Sequence, residues 1–436
     1  MAGPVDIFRN IQAIEPTRVY NNTMKPVHTS SDRNESNVNM PNLECSHYYG
    51  MGVQKVWERN ITGKGVTIAV NDVGIDTDLM DLKPNINKEL CKNFLTNSSD
   101  VSPDYFTDIV AKPPEYSNHG NFVASVTASA KNSNFCSAGI AFDATLVGLK
   151  IYNVTLVNNT FGISSSRHQT DAEILARSLR YALDKIDIFV NAWGPKQPFD
   201  QLDLATKAAI KHGATKGRRG LGTIYVVPAG PVGNGLSNSI YTITVNSIGR
   251  FGEKPADAVP DASTLVSGLR DGNNLTATSM VTTSHGNKHV RTFRGVSVAV
   301  AQVSGIIALG LQTNKDLKLR DVQHLLVLAS EHERLSRNLD FETNGAMKQF
   351  NAYFGFGLLN ADKFVTLAKT HKSVPELLSR TFKIYEQNCS CRPNQGCILK
   401  NKKVGRGGVS FHLRGIIRTI LLKNQLGNDT YQIPKA

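Results

Sequence analysis

Three residues of this chain have the types and local settings that acyl-transfer chemistry requires. Asp72 ends the apolar run GVTIAV in VNDVGID, His119 opens HGNFVAS, and Ser297 heads the long apolar segment in FRGVSVAVA. A serine hydroxyl attacks a carbonyl when an imidazole takes its proton and a carboxylate orients that imidazole and stabilises its cation. Each residue also has an ordinary structural reading. Serine commonly starts helices. An aspartate after a strand commonly serves a turn or cap, and a lone histidine before glycine is commonly a surface residue. The conjunction is harder to explain that way, because all three stand at element boundaries rather than inside an apolar face. His119 and Ser297 both open helix patterns, and a helix N-terminus favours developing negative charge. The backbone N–H of Ser297 is therefore a candidate donor to an oxyanion.

The elements that must position these residues alternate along the chain. GVTIAV, ATLVGLKIY, IDIFVNAW, GTIYVV and SIYTITVNS read as strands. NFVASVTASA, TDAEILARSLRYALDK, LATKAAIKHGATKG and VSVAVAQVSGIIALGLQT read as helices, the second opening on a Thr/Asp cap and the last apolar on nearly every side. Such alternation predicts an α/β fold with a mainly parallel sheet covered on both faces. Functional groups then collect at the carboxyl ends of the strands. Asp72, Trp193–Gly194 and the segment PAGPVGNG all fall there.

Composition bounds the rest. With 436 residues, 40% hydrophobic and 7% aromatic, the chain can bury a sizeable core. No run reaches the eighteen or so consecutive apolar residues of a membrane span, and the N-terminus has no apolar signal-peptide core. Sequons at Asn21, Asn34, Asn60, Asn97, Asn153, Asn158, Asn274, Asn388 and Asn428 point instead to the secretory pathway or the extracellular space. Cys389, Cys391 and Cys397 cluster in NCSCRPNQGC, which a local disulfide or free thiols explain better than zinc, since a zinc site needs a fourth ligand nearby. The net charge is +13. From Ser373 onward eleven Lys and Arg face three Asp and Glu, a surplus of +8. That basic tail suits an acidic partner, but no nucleic-acid-binding fold surrounds it.

The motifs resemble those of the subtilisin-like serine proteases, and more closely those of the kexin-type proprotein convertases, from about Tyr48 to Ala368. GKGVTIAVNDVGIDTDLMDL is similar to the family's aspartate motif and HGNFVASVTASA to its histidine motif. NAWGP looks like the substrate-binding strand, and KGRRGLGTIYVV, SNSIYTITVNS and YFGFGLLNADKFVTLA resemble kexin-type segments. The chain order Asp–His–Ser is that of the subtilisin type. The resemblance implies Asp72, His119 and Ser297 as triad positions, and Ala192, Trp193, Gly194 and Pro195 as the substrate-binding strand. It implies a subtilisin-like three-layer domain over 46–372, a polar arm or linker over 1–45, and a basic, truncated, β-rich remnant of a P domain over 373–436. A polypeptide substrate and structural calcium are the family's expected partner and cofactor.

The departures from the family pattern bear on activity. Pro231 in VVPAGPVGNG stands where the family has an asparagine whose amide serves the oxyanion. Proline offers no side-chain donor and no N–H, which leaves Asn234 as the substitute to consider. Gly-Thr-Ser becomes Gly295-Val296-Ser297, and a later proline becomes Ala301. After NAWGP the family's acidic residues are replaced by Lys196, Gln197 and Pro198, and Val73 follows Asp72 in place of a second aspartate. A basic substrate side chain meeting Lys196 is repelled rather than paired. Only Asp81 matches a calcium-ligand position, and calcium takes several oxygens. Cys136 matches a cysteine whose family partner, shortly before the serine motif, is missing here. The sequence therefore predicts a slow serine endopeptidase with altered, non-dibasic specificity. The alternative is a catalytically impaired relative that acts by binding.

Overall fold

The structure, a computed structural model, describes residues 50–104, 115–131, 138–158, 164–249, 252–270, 280–333, 335 and 341–375, with short strands at 5–6, 389–392 and 396–399. In chain order the elements are β1 (Val5–Asp6), α1 (Val53–Trp57), β2 (Thr67–Asp72), β3 (Lys92–Asn93), α2 (His119–Ala128), β4 (Thr145–Lys150), β5 (Asn153–Asn158), β6 (Ser164–Thr170), α3 (Ala172–Ser178), β7 (Ile188–Val190), α4 (Leu204–Lys216), β8 (Ile224–Pro228) and β9 (Thr242–Gly249). They continue with β10 (Val266–Arg270), β11 (Met280–Ser284), β12 (Lys288–Phe293), α5 (Val296–Thr313), α6 (Leu319–Ala329), β13 (Ser330–Glu331), β14 (Glu342–Thr343), β15 (Gln349–Phe350), β16 (Leu358–Leu359), α7 (Ala361–Thr370), β17 (Cys389–Arg392) and β18 (Gly396–Leu399).

One sheet organises the chain, in the order β13-β16-β10-β9-β8-β7-β2-β4-β3. All its pairings are parallel except β13 with β16. β8 and β9 are buried along their whole length. Continuous burial means that helices cover both faces, and it explains why these strands read as unbroken β-branched and apolar runs. α5 packs across β7, β8, β9 and β10 and against α2, while α4 packs on β8 and against α3. Ser297 to Leu311 of α5 are all buried. This helix is long and apolar enough to cross a membrane, and here it is the central core helix.

The strand order reverses at β2. The chain passes from β2 to β4 on one side, then returns to place β7 on the other. Such a reversal opens a crevice at the carboxyl ends of the two strands that flank it. Asp72 ends β2, and Ala192–Pro195 leave the end of β7. The sheet topology thus brings together the residues that the sequence places at strand ends.

Two local expectations change. The amphipathic pattern TDAEILARSLRYALDK predicts helix through Lys185, yet α3 ends at Ser178. Its cap is as expected, with the Asp171 carboxylate accepting from Ile174 N at 2.8 Å. The later turns give up helical hydrogen bonds to tertiary donors. Tyr225 Oη donates to Leu179 O at 2.5 Å and Arg218 N donates to Leu183 O at 2.7 Å. Ala182 adopts φ 44°. Between β4 and α3, where no element is assigned from the sequence above, β5 and β6 form an antiparallel hairpin, and β1 lies antiparallel to β6. The proposed arm, 1–45, otherwise lies outside the described residues. So does the P-domain-like tail beyond Pro375, apart from the antiparallel pair β17–β18, in which Cys391 stands opposite Cys397 in register. Cys136 and its pairing also lie outside them.

Candidate active site

β2 delivers Asp72 to the crevice, fully buried. Its carboxylate is fixed from its own backbone, Val73 N donating to Oδ1 at 2.8 Å. α2 begins at His119, so the imidazole projects from a helix N-terminus. His119 Nδ1 stands 2.9 Å from both carboxylate oxygens of Asp72. Ser297 is the second residue of α5 and is buried. Its Oγ is 3.1 Å from His119 Nε2. With Nδ1–H donated to Asp72, the neutral tautomer leaves Nε2 as the acceptor facing the hydroxyl. The order of atoms is carboxylate, Nδ1–H, Nε2, Oγ, in which an imidazole oriented by a carboxylate faces a hydroxyl whose proton it can take. The three residues are 47 and 178 positions apart along the chain.

The surroundings hold this line in place. Phe293, at the end of β12, sets its ring edge-on to His119 at 5.8 Å. Gly120 lies so close to the loop after β2 that a Cβ there would sit 2.0 Å from Gly74 O. Only glycine lets α2 approach β2 this closely, so Gly120 is as necessary to the site as its neighbour. Tyr152, fully buried beyond β4, has its phenol pushed well above the usual value by burial and then by the charge of Asp72. It stays a neutral phenol beside the carboxylate and does not compete as a base.

Ala192–Pro195 run past Ser297, and Ser297 Oγ donates to Ala192 O at 3.2 Å. A hydroxyl has one proton, so Ala192 O and His119 Nε2 are alternative acceptors for it. Trp193 does not face the crevice opening. It is buried, donates Nε1–H to Asn71 O at 2.7 Å and packs edge-on to Tyr152 at 5.9 Å. Its part in the crevice is to fix the strand on either side of it, while Gly194 and Pro195 remain half-exposed.

The opposite wall is the turn after β8. Gly230 N donates to the buried Asp261 carboxylate at 3.1 Å, and Pro231 follows with no N–H to offer. Asn234 is not the substitute donor that its position in PAGPVGNG suggests. Its amide nitrogen donates to Pro231 O at 2.8 Å and Ser237 Oγ at 2.7 Å, and its Oδ1 accepts from Leu236 N and Ser237 N. The short turn folds the side chain back on itself, and Asn234 is a structural turn residue. Helix termini leave their first N–H groups without intrahelical acceptors. The Ser297 N–H, in the first turn of α5, therefore has no acceptor within its helix.

Asp81 is buried and its Oδ2 accepts from the Thr283 hydroxyl. Among the described residues no three His, Cys, Asp or Glu side chains converge as a metal group. Calcium takes six to eight oxygens, so an ion held at Asp81 would need further oxygens beside this carboxylate.

Residues 63–357 match the subtilase family of peptidases. The chain belongs to the subtilase family. Its relatives agree with the kexin-type character of the motifs. This subtilase is 33% identical over 338 residues to neuroendocrine convertase 2 of Drosophila melanogaster, covering 74% of this chain and 49% of that protein. It is 34% identical over 336 residues to human proprotein convertase subtilisin/kexin type 6, covering 74% and 32%. With the human type 7 convertase it shares 32% identity over 354 residues, covering 78% and 42%. The chain thus spans about half or less of the length of these relatives. Among solved structures, a serine protease of Aeromonas sobria superposes with a TM-score of 0.60 at 20% identity, covering 73% of this chain and 63% of that one. A protease of Pseudoalteromonas arctica superposes with a TM-score of 0.55 at 17% identity, covering 74% and 96%. These likenesses establish the subtilisin-like fold.

Sequence reasoning missed Asn118, Asn121, Tyr152 and Asp261 as parts of this site. The signal for the first two was at hand in SNHGN, where two asparagines flank the histidine.

Proposed function

We propose that this subtilase is a serine endopeptidase in which Ser297 is the nucleophile, His119 the general base and then acid, and Asp72 the group that orients and stabilises the imidazole. The reading rests on the unbroken line from Asp72 through His119 to Ser297 Oγ. In the first step Oγ bonds to the scissile carbonyl carbon while its proton passes to His119 Nε2. The carbonyl electron pair moves to oxygen, and the Ser297 N–H donates a hydrogen bond to the resulting oxyanion. The tetrahedral species collapses, His119 gives its proton to the leaving amine, and an acyl-enzyme remains. Water then attacks with His119 again as base, releasing the acid and restoring the hydroxyl. The test is labelling of the whole chain by a fluorophosphonate at Ser297.

A second reading is favoured by one observation. The turn at Gly230–Asn234 supplies no donor equivalent to the family's asparagine amide. A binding protein with a subtilase frame would tolerate that loss. A folded chain that does not react with a fluorophosphonate would support it.

The primary pocket is proposed to reject basic side chains. Lys196 follows Pro195 directly at the crevice, where the kexin pattern carries acidic residues. Peptides with Arg or Lys before the scissile bond are expected to show kcat/KM no higher than matched peptides with an uncharged residue there. A clear preference for paired basic residues would overturn this placement of Lys196.

A secretory location is proposed from the sequons. Asn60, Asn97 and Asn153 are exposed. Expressed through a secretory pathway, the protein should carry glycosidase-sensitive mass that falls stepwise in Asn60→Gln, Asn97→Gln and Asn153→Gln. A single unmodified species would count against it.

A further inference from the structure

We propose that Asn118 and Asn121 are positioning residues that lock the three chain segments bearing Asp72, His119 and Ser297 into one register. The inference rests on the endopeptidase reading for its consequence, though not for its geometry. Asn121 Oδ1 accepts from Asp76 N at 2.7 Å, which ties α2 to the loop that leaves Asp72. Asn121 Nδ2 donates to Asn118 Oδ1 at 3.2 Å. The same Asn118 oxygen accepts from His285 N at 2.9 Å, which ties α2 to the β11–β12 turn that leads to Ser297. The result is a continuous chain, Asp76 N–H to Asn121 to Asn118 to His285 N–H, with His119 lying between the two asparagines in sequence.

Both asparagines are buried, Asn121 fully. The orientation of each amide follows from its partners, because an oxygen must face each backbone N–H. Backbone contact at Gly120 excludes any side chain there, so the two residues that flank the His119–Gly120 pair carry the cross-links. His119 by itself meets each partner through a single ring nitrogen, Nδ1 on the Asp72 carboxylate and Nε2 on Ser297 Oγ. An imidazole can follow small shifts of either partner, and the relay then lengthens. The amide chain removes that freedom by fixing the backbones that carry all three groups. Positioning of this kind is worth much in rate, because a displacement of about 1 Å costs about a hundredfold.

The experiment uses the full chain and three variants, Asn121→Ala, Asn118→Ala and Asn118→Asp, with Leu325→Ala in α6 as a destabilised control away from the site. Each is read by its rate of fluorophosphonate labelling against pH, its Tm, and the NMR signal of the His119 Nδ1 proton. Both alanine variants should label about 10- to 100-fold more slowly and broaden or lose the Nδ1–H signal. Asn118→Asp keeps the acceptor for His285 N and Asn121 Nδ2, so its maximal rate should stay within about threefold of the parent's. Its added negative charge beside His119 favours imidazolium, so the pH midpoint should move up. The control should match the alanine variants in lost Tm while keeping the parent's rate and signal.

Alanine variants with the parent's rate and Nδ1–H signal would overturn the proposal. So would a control that slows equally, since the effect would then be general loss of stability. If the parent itself does not label, the endopeptidase reading fails. The Nδ1–H signal then decides alone, its loss in both alanine variants supporting the positioning role and its persistence overturning it.

Discussion

Ser297→Ala should abolish fluorophosphonate labelling and remove peptidase activity down to a residue about 10⁴- to 10⁶-fold below the parent. The expectation follows from the geometry of Oγ. It is the atom of Ser297 that faces His119 Nε2 at 3.1 Å, and the imidazole has Asp72 on its other nitrogen. Alanine leaves the helix start, the Ser297-position N–H and the crevice walls unchanged, so a loss of labelling isolates the hydroxyl. The hydroxyl's other bond, to Ala192 O, is a single neutral contact. Removing it should cost only about 1 kcal/mol of stability, so the variant remains folded and its Tm stays close to the parent's. Labelling that persists in Ser297→Ala would place the reactive group elsewhere and sink the assignment.

The second large effect runs in the opposite direction. Pro231→Asn should raise kcat by about 10- to 1000-fold, the range over which one oxyanion donor acts. In the parent the groups nearest the family's asparagine position offer no spare donor. Gly230 N is held by Asp261, Pro231 has no N–H, and both hydrogens of the Asn234 amide are directed at Pro231 O and Ser237. Asparagine at 231 adds a side-chain donor without removing the carbonyl that Asn234 uses. The turn therefore keeps its internal bonds. Loss of the proline restraint should cost about 0.4–1 kcal/mol through the unfolded state, which is small beside the gain in rate. An unchanged kcat, with Tm showing the variant folded, would mean that oxyanion stabilisation does not limit this site.

The parent and Pro231→Asn together separate the readings. A chain that fails to label as the parent but labels as Pro231→Asn has an intact relay and lacks only its second donor. A chain that labels in neither form has lost more than Pro231 explains, and the binding-protein reading stands.

The sequence by itself determined the α/β class, the strand end that carries Asp72 and the helix starts that carry His119 and Ser297. These are local facts. Apolar runs of strand length, a glycine before Ser297 and a small-residue helix after His119 each act over a few residues, so their outcome is written in order along the chain. Tertiary structure alone decided what lies across the crevice. The helix expected through Lys185 stops at Ser178 because Tyr225 and Arg218, distant in sequence, take its carbonyls. Asn234 reads as a candidate oxyanion donor until the turn folds its amide onto Pro231 and Ser237. Trp193 reads as part of a substrate-binding strand, and only the packing shows that its indole is buried against Tyr152 and Asn71, where it anchors that strand. Asn118 and Asn121 flank His119 in SNHGN, but what they bind cannot be read there, because their partners come from segments up to 167 residues away. A side chain's local pattern fixes which element it joins. Its hydrogen-bond partners are settled only when distant elements pack, and buried polar groups must then take whatever partners that packing supplies.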